Sequence, residues 1–405
     1  MRRVAITGMG IVSSIGGDVD AVARSLRDAT SGISRSDAFA EKGFRCQVEA
    51  RPPVNVEELI DRRTRRFMAE GAAWNYLAMQ EAIEMAGLAP DEISHPMTGI
   101  IMGSGGPSTR DIVAAAEKTR AAGNTRKVSP TIVPKAMSST NSATLATAFK
   151  VLGVNYSISS ACATSVHCIG AAAEQIMWGK QDVMFAGGGE DLDWTMANLF
   201  DAMGAMSTNF NDRPDVASRA YDKNRDGFVI AGGAGAVVLE EMSRAKARGA
   251  TILGEIVGYY ANSDGDDMVQ LNGEGAVRCM RGALETVRMP IDYVNTHGTS
   301  TPIGDSKETA AIREVFGPEM PPFSSTKSLT GHSLGAVGAQ ETVCCLIMMR
   351  DRFLCESAHI EELDPEFEGL PIVRERVDDA KIDCFLTNSF GFGGTNGCLV
   401  VARAE

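Results

Sequence analysis

The sequence predicts a layered α/β fold in which mostly buried strands alternate with helices. The chain has 405 residues, of which 44% are hydrophobic and 22% charged, a composition typical of a protein with a large core and two or three domain-sized units. Short runs rich in β-branched residues alternate with Ala-rich stretches whose apolar residues recur at helical spacing. This alternation indicates α/β layering.

The individual elements follow from these two patterns. Strands are predicted at residues 3–7, 98–102, 155–159 and 183–186. Helices are predicted at residues 66–86, 165–178 and 338–350, and we interpret their Met and Cys content as core packing. A new strand starts at residues 255–259, so we expect two halves of similar plan, residues 1–248 and 249–405.

Charge and cysteine usage exclude several classes of protein. A formal charge of −13 argues against general nucleic-acid binding. No cleavable leader and no apolar run of membrane-spanning length is visible, so we expect a cytoplasmic protein without membrane association. The nine Cys are scattered singly apart from Cys344 and Cys345, without the paired spacing of a zinc site or the density of a disulfide framework.

The first chemical motif combines a strand, a turn of small residues and a helix around Cys162, in the run Asn-Tyr-Ser-Ile-Ser-Ser-Ala-Cys-Ala-Thr-Ser. The turn places Cys162 near a helix N-terminus, where free N–H groups and the helix dipole favour a thiolate. Its own amide is a candidate oxyanion donor. The alternative is a buried structural cysteine in a tight turn, which suits Cys168 better than Cys162.

Two further motifs place His and Lys residues in loops rich in Gly, Ser and Thr. His297 ends a strand in Asn-Thr-His-Gly-Thr-Ser-Thr, and Lys327 and His332 lie in Thr-Lys-Ser-Leu-Thr-Gly-His-Ser-Leu-Gly-Ala. A single His in such a place is usually structural. Two of the only five His in the chain lie in similar loops, however, and this favours a catalytic role for them. A fourth motif, Asn-Ser-Phe-Gly-Phe-Gly-Gly-Thr-Asn, is a glycine loop that lets backbone amides approach a ligand.

Residues 331–335 also match the G-x-S-x-G nucleophile elbow of α/β-hydrolases, with Ser333 as the nucleophile. The context argues against this interpretation. The preceding residues 323–328 form a poor buried strand, and His359 is the only His downstream of Ser333.

Taken together, the four motifs resemble the condensing enzymes of fatty-acid synthesis, and their order and spacing match the elongating β-ketoacyl-acyl-carrier-protein synthases. The likeness runs from Ile-Thr-Gly-Met-Gly-Ile-Val-Ser at residue 6 to the end of the chain and is closest to the type I enzymes. The resemblance implies a thiolase-like five-layer αβαβα sandwich of two similar halves. It also implies a homodimer that needs no metal and no organic cofactor.

The resemblance further implies roles for individual residues in a decarboxylative condensation with a malonyl thioester. Cys162 is the expected nucleophile, His297 and His332 assist decarboxylation, and Lys327 supports the site electrostatically. The amides of Cys162 and Phe392 are expected to form an oxyanion hole, and the acidic residues Asp305 and Glu308 are expected to support the site from behind the catalytic residues. The implied substrate-binding residues are Thr299, Thr301, Phe390 and Phe392. Taken singly, the Thr and acidic positions are equally well explained by loop and helix-cap hydrogen bonds.

Acyl carrier protein is the partner that the resemblance implies, and a group of basic residues on this acidic chain is its expected docking site. The group consists of Arg62, Arg63, Arg66, Arg126 and Lys127, with Arg120 nearby in the sequence. The alternative is a solvated helix face, the usual fate of a run of charges.

The chain departs from the type I pattern at Leu271, where a Pro-containing segment is usual, and at Pro107, where Gly is usual. The preferred acyl chain length and the inhibitor preference therefore stay open, as does the presence of a structural ion near Asn295, Glu341 and Asn388.

The rival hypotheses are a polyketide ketosynthase, a CoA thiolase, or a silent partner subunit. A thiolase needs a second catalytic Cys, and Cys398 lies in no matching motif; a silent subunit should lack the nucleophile.

Overall fold

The structure is a computed structural model that describes residues 1–106 and 108–404. The sequence departure at Pro107 lies outside the described residues. None of the helices in the described part of the chain combines the length and the apolar character that a membrane crossing requires.

The strands range from two-residue pairs to ten-residue central strands. They are β1 (Val4–Val12), β2 (Ser34–Arg35), β3 (Val48–Glu49), β4 (Thr98–Gly103), β5 (Asn155–Tyr156), β6 (Val183–Glu190), β7 (Gly233–Glu241), β8 (Gly254–Ser263), β9 (Tyr293–Asn295), β10 (Phe323–Ser324), β11 (Phe353–Leu354), β12 (Val377–Asp378), β13 (Cys384–Gly391) and β14 (Thr395–Ala402).

The helices range from single turns to a seventeen-residue helix. They are α1 (Val19–Arg27), α2 (Asp37–Glu41), α3 (Val56–Leu59), α4 (Arg62–Arg65), α5 (Glu70–Ala86), α6 (Pro90–Ile93), α7 (Thr109–Ala122), α8 (Ile132–Ala136), α9 (Thr140–Phe149), α10 (Thr164–Met177), α11 (Trp194–Met203), α12 (Met242–Ala247), α13 (Glu274–Leu284), α14 (Pro302–Phe316), α15 (Lys327–Thr330) and α16 (Val337–Asp351).

The main sheet consists of two sets of five strands with the same topology. Its order is β10-β9-β13-β14-β8-β1-β7-β6-β4-β5, and β1 and β8 join the two sets through three residue pairs. From β1 outward the neighbours are antiparallel, antiparallel, parallel and parallel, and the same series runs outward from β8. The expected division between residues 248 and 249 falls between α12 and β8, and it stays a prediction.

Helices cover both faces of these two sets of strands. The helices α10 and α16 pack against each other and contact strands of both sets, while α5 packs on β1, β6 and β7 and α13 on β8 and β14. The chain is therefore layered as helix, sheet, helix, sheet, helix. Residues 337–349 of α16 are buried on every side, because this helix lies in the middle layer.

Two sequence-based boundaries are wrong. The predicted helix over residues 66–86 is the shorter α5, because the chain is extended at Ala69 and the basic residues before it form the separate turn α4. The predicted strand over residues 155–159 stops at Tyr156, because the chain must turn before α10. Small and polar residues such as Ser157 and Ser159 suit that turn as well as a strand.

Candidate active site

The turn before α10 presents Cys162 to a cavity. Ala161 has a φ of 49°, a left-handed conformation that reverses the chain just before the cysteine. The hydroxyl of Thr164 fixes this turn, because its oxygen accepts a hydrogen bond from the Ser160 amide (2.8 Å) and its proton is donated to the Ala161 carbonyl (2.7 Å). Cys162 remains partly exposed and lines the cavity.

The two predicted histidines meet at the cysteine. His297 follows β9 and His332 follows α15, and the His332 Nε2 atom lies 3.0 Å from the Cys162 sulfur. The two imidazole rings are 5.3 Å apart and nearly perpendicular. Ligand atoms of all three residues lie within 4.8 Å of one another. Sulfur and imidazole nitrogen also bind zinc, so this trio offers a metal a set of donors, and the expected absence of a metal cofactor stays a prediction.

Lys327 is fully buried in α15 and pairs with Glu341 of α16. A buried ammonium needs such a partner, because removing an unpaired charge from water is costly. The positive charge of Lys327 acts on Cys162, His297 and His332 alike. The structure thus brings Cys162, His297 and His332 together, with the buried Lys327 close enough for its charge to act on all three.

Burial keeps both imidazoles neutral. The pKa of His332 lies well below its ordinary value, because the ring is buried and Lys327 repels a second positive charge. The pKa of His297 is lowered for the same two reasons and also by His332. The Nδ1 atoms of both rings are buried without a hydrogen-bond partner among the described residues. Neutral imidazoles in this position can accept a proton or donate an N–H group.

The thiolate character expected of Cys162 stays a prediction, and the surroundings of the sulfur act against it. Burial raises the pKa of this thiol to about 12, and the nearby Lys327 charge opposes the increase without cancelling it. Desolvation thus opposes the thiolate that a helix N-terminus favours. The neighbouring His332 nitrogen lies within hydrogen-bond distance of the sulfur.

The two predicted acidic residues act on backbone and not on the imidazole rings. Glu308 accepts hydrogen bonds from the amides of His297 and Gly298, each at 2.8 Å, and so fixes the loop that carries His297. Asp305 accepts from the Ser300 amide at 3.2 Å and pairs with Arg225. Burial raises the pKa of both carboxyls, that of Asp305 to about 7.

The cavity has a volume of about 310 Å³, within the usual range of small-molecule sites. Besides Cys162, His297, His332 and Glu308, its lining includes the predicted substrate-binding residues Thr299, Thr301, Phe390 and Phe392 and the departure from the family pattern, Leu271. The hydroxyls of Thr299 and Thr301 lie 3.0 Å apart.

Gly391 keeps the space beside the Cys162 amide open. A Cβ atom at this position would lie 3.1 Å from the Cys162 nitrogen and 3.0 Å from the Ser160 carbonyl oxygen. The absence of a side chain lets the Gly391–Phe392 segment approach the nucleophile closely. The oxyanion hole expected from the amides of Cys162 and Phe392 stays a prediction.

Comparison with known proteins decides the family. Residues 1–245 match the family described as "Beta-ketoacyl synthase, N-terminal domain", and residues 253–361 match "Beta-ketoacyl synthase, C-terminal domain". The chain belongs to the β-ketoacyl synthase family. It is 54% identical over 406 residues to 3-oxoacyl-[acyl-carrier-protein] synthase 1 of Escherichia coli strain K12, with 100% of each sequence covered.

Solved β-ketoacyl synthase structures share the fold along the whole chain. A β-ketoacyl synthase from Burkholderia phymatum superposes with a TM-score of 0.93 at 35% identity, covering 100% of both chains. A type II polyketide ketosynthase, solved in complex with its acyl-carrier protein, superposes with a TM-score of 0.89 at 25% identity and the same coverage. The predicted thiolase-like fold and the predicted family are confirmed.

Structure and family together remove the hydrolase alternative. Ser333 is fully buried and donates a hydrogen bond to Gln340 at 2.5 Å, so it is not presented as a nucleophile. His359 instead contacts the Ser218 carbonyl through Nδ1. Cys398, the residue considered as a second thiolase cysteine, is buried against Asn388 and does not line the synthase cavity.

The predicted docking residues lie in two exposed segments of the synthase. Arg62, Arg63 and Arg66 are on α4 and just after it, where Asp61 caps the helix. Arg120 lies in the last turn of α7, and Arg126 and Lys127 lie in the turn that follows the helix.

Sequence reasoning missed two groups that shape the site. The sequence pointed to Glu341 only as a possible ligand of an ion, whereas the structure pairs it with Lys327. Glu341 is the single charged residue in the run 337–349, and this isolation among mostly apolar residues could have indicated a buried ion pair. The Phe228 ring packs edge-on against the His332 ring with 5.5 Å between the ring centres, and no motif indicated this contact.

The Asn295 Oδ1 and Glu341 Oε2 atoms have no hydrogen-bond partner within the described chain, so both are available as acceptors.

Proposed function

We propose that this chain lengthens fatty acyl chains by two carbons, through decarboxylative condensation of an acyl thioester with malonyl-acyl-carrier protein. The observation that carries the proposal is the placement of a thiol 3.0 Å from one neutral imidazole, with a second neutral imidazole in the same cavity. The chain is an acyltransferase of the β-ketoacyl synthase family.

Acyl transfer is the first half of the reaction. The Cys162 sulfur attacks the carbonyl carbon of the acyl thioester, the bond between that carbon and the carrier sulfur breaks, and the thiol proton leaves with the departing carrier thiol. The negative charge that develops on the carbonyl oxygen is met by the amides of Cys162 and Phe392. The missing side chain at Gly391 leaves room for that oxygen.

Decarboxylation and condensation are the second half. The bond between the malonyl carboxylate and its α-carbon breaks, CO₂ leaves, and the electron pair forms an enolate of the remaining thioester. N–H groups of neutral His297 and His332 donate to the enolate oxygen. The enolate carbon then attacks the acyl-Cys162 carbonyl, a carbon–carbon bond forms, the bond from that carbonyl carbon to the Cys162 sulfur breaks, and the sulfur takes up a proton from solvent.

The remaining residues serve binding. Thr299 and Thr301 offer hydroxyls to the carrier's pantetheine arm, and Phe390 and Phe392 line the acyl and thioester region of the cavity. Lys327 supports the site by keeping both imidazoles uncharged. We assign no metal and no organic cofactor to this chemistry.

We also propose two partners. Acyl carrier protein docks through Arg62, Arg63, Arg66, Arg126 and Lys127, all exposed. A second copy of the chain covers α7, which contains no buried residue although it is fourteen residues long, and the exposed edge strand β5. A cytoplasmic location stays a prediction of the sequence.

The two enzyme alternatives make different demands. A polyketide ketosynthase extends its own β-keto products repeatedly, whereas the 54% identity over the full length is to a 3-oxoacyl-[acyl-carrier-protein] synthase 1. A CoA thiolase needs a second cysteine at the cavity, and Cys398 lies elsewhere.

The test is an assay of the purified chain with a series of acyl-carrier substrates and malonyl-carrier. We expect a β-ketoacyl-carrier product two carbons longer than each accepted substrate, with one CO₂ released per product. Repeated extension without intervening reduction would support the polyketide alternative. Turnover with acetyl-CoA alone and no CO₂ release would support a thiolase.

A further inference from the structure

His167 lies one helical turn beyond Cys162, and no motif assigned it a role. It joins the two backbone segments that flank the nucleophile. Its Nδ1 atom is 2.7 Å from the Ser160 hydroxyl in the nucleophile turn, and its Nε2 atom is 3.0 Å from the Asn396 carbonyl in β14. Ser160 lies two residues before Cys162, and Asn396 pairs with Phe390 in the hairpin that carries Phe392.

The two contacts fix the tautomer of this ring. A carbonyl oxygen only accepts, so Nε2 must carry the proton that is donated to Asn396. In the neutral ring Nδ1 is then an acceptor, and the Ser160 hydroxyl donates to it. Burial lowers the pKa of His167, which favours this neutral form. The bridge therefore has one defined arrangement of hydrogens.

The surroundings leave the bridge little freedom. A Cβ at Gly397 would lie 3.1 Å from the His167 ring, and a Cβ at Gly391 would lie 3.0 Å from the Ser160 carbonyl oxygen. The Asn396 side chain is held from its other side by Asn262 (2.9 Å) and Asp264 (2.7 Å). The distance between nucleophile turn and glycine loop is thus set by close packing and by His167.

We propose that His167 is a positioning residue that holds the amides of Cys162 and Phe392 in register as an oxyanion hole. It touches neither substrate nor the reacting sulfur and acts through the two loops that it joins. The inference rests on the proposed roles of Cys162 and these amides. It predicts that His167 matters for acyl transfer to Cys162 and not for malonyl decarboxylation, which depends on His297 and His332.

The experiment measures the two half-reactions separately, in single-turnover transfer of radiolabelled acyl to Cys162 and in CO₂ release from malonyl-carrier. His167→Leu removes both hydrogen bonds, and we expect the acyl-transfer rate to fall by about 10²-fold, as a displacement of around 1 Å would cause. CO₂ release should stay near the wild-type rate, and the KM for acyl-carrier should change little.

Conservative variants separate the two ends of the bridge. His167→Asn places an acceptor where Nδ1 was and keeps the Ser160 contact, whereas His167→Gln keeps a donor towards Asn396. Each should recover part of the lost acyl transfer. Ser160→Ala should slow acyl transfer when it is introduced into the wild type or into the His167→Asn variant, because the Ser160 contact is present in both. In the His167→Gln and His167→Leu variants this contact is already lost, so Ser160→Ala should cause no further decrease in the acyl-transfer rate.

Ile176→Ala is the matched control, since Ile176 is buried in the same helix and distant in sequence from both loops. It should lower thermal stability without separating the half-reactions. The proposal is overturned if His167→Leu slows both half-reactions by the same factor, as a purely structural residue would, or slows neither. Label found on a residue other than Cys162 in the wild type would instead overturn the proposed nucleophile.

Discussion

Two walls of the active-site cavity are built in different ways. The nucleophile wall, formed by residues 160–164 and 391–392, is held by backbone turns and hydrogen bonds between neutral groups. The imidazole wall, formed by His297, His332 and Glu308 and supported by the buried pair of Lys327 and Glu341, is held by buried charges. The first wall should therefore respond to changes in shape and the second to changes in charge.

The sharpest test of this comparison removes one reacting group from each wall. Cys162→Ala should abolish acylation and condensation but still release CO₂ from malonyl-carrier, because both imidazoles remain. His297→Ala and His332→Ala should each retain acylation of Cys162 and lose decarboxylation by about 10²-fold or more. Radiolabelled acyl trapping and CO₂ release on the folded variants measure this. Normal decarboxylation by both His variants would refute their assignment.

The buried ion pair tests the imidazole wall through stability. Lys327→Met leaves the Glu341 carboxyl buried without a partner, so the free energy of unfolding should fall by about 3–5 kcal/mol. Lys327→Met combined with Glu341→Leu should recover most of that loss but not the activity. Urea unfolding and the condensation assay give the two readouts. Recovery of activity in the double variant would mean that Lys327 serves only packing.

The same variant has a pH signature. Burial already raises the pKa of Glu341 to about 7 in the presence of Lys327, and removing that cation raises it further. A carboxyl whose pKa is higher in the folded than in the unfolded state binds its proton more tightly when folded, so the folded state loses stability as pH rises above the unfolded-state pKa. The Lys327→Met variant should therefore be less destabilised at about pH 5 than at about pH 8. A deficit independent of pH would contradict the pairing. The decarboxylation rate of the variant should also begin to fall at a higher pH than that of the wild type, as pH is lowered. The reason is that the pKa values of His297 and His332 rise without Lys327, so the two rings become protonated at a higher pH.

The sequence located the reacting residues better than it described their environment. Cys162, His297, Lys327 and His332 lie in motifs that can be read locally. The structure brings Cys162, His297 and His332 together and places the charge of Lys327 near them. The thiolate character of Cys162 stays a prediction, because desolvation by residues far away in sequence raises the pKa of the thiol and no local motif encodes that burial. The contact of Phe228 with His332 also depends on tertiary packing that no local pattern encodes.

The nucleophile wall should react selectively with alkylating agents. Cys162 is the only one of the nine cysteines that is not buried, so we expect it to be modified first by iodoacetamide. Its raised pKa should make the reaction slower than that of a small free thiol, and faster as pH increases. Peptide mapping with and without acyl-carrier measures this. First modification at Cys46 or Cys168, or no protection by substrate, would contradict it.

The smallest expected effect lies outside both walls. Replacing Arg62, Arg63 and Arg66 with Glu should raise the KM for carrier substrates severalfold and flatten its salt dependence, because exposed charges mainly change encounter rates. The kcat should stay unchanged, since neither wall is altered. Steady-state kinetics at several salt concentrations test this, with Arg120→Glu as a comparison at the second basic segment. Unchanged KM values would reject α4 as a docking site.

The central position of β1 has a consequence for synthesis on the ribosome. This strand is buried along its whole length and pairs only with β7 and β8, which begin at Gly233 and Gly254. At about 5–20 residues per second, the first strand waits roughly ten to fifty seconds before either neighbour has been translated. During that time a nine-residue, mostly apolar strand lacks its native neighbours, so the nascent chain leaves both edges of this strand unpaired.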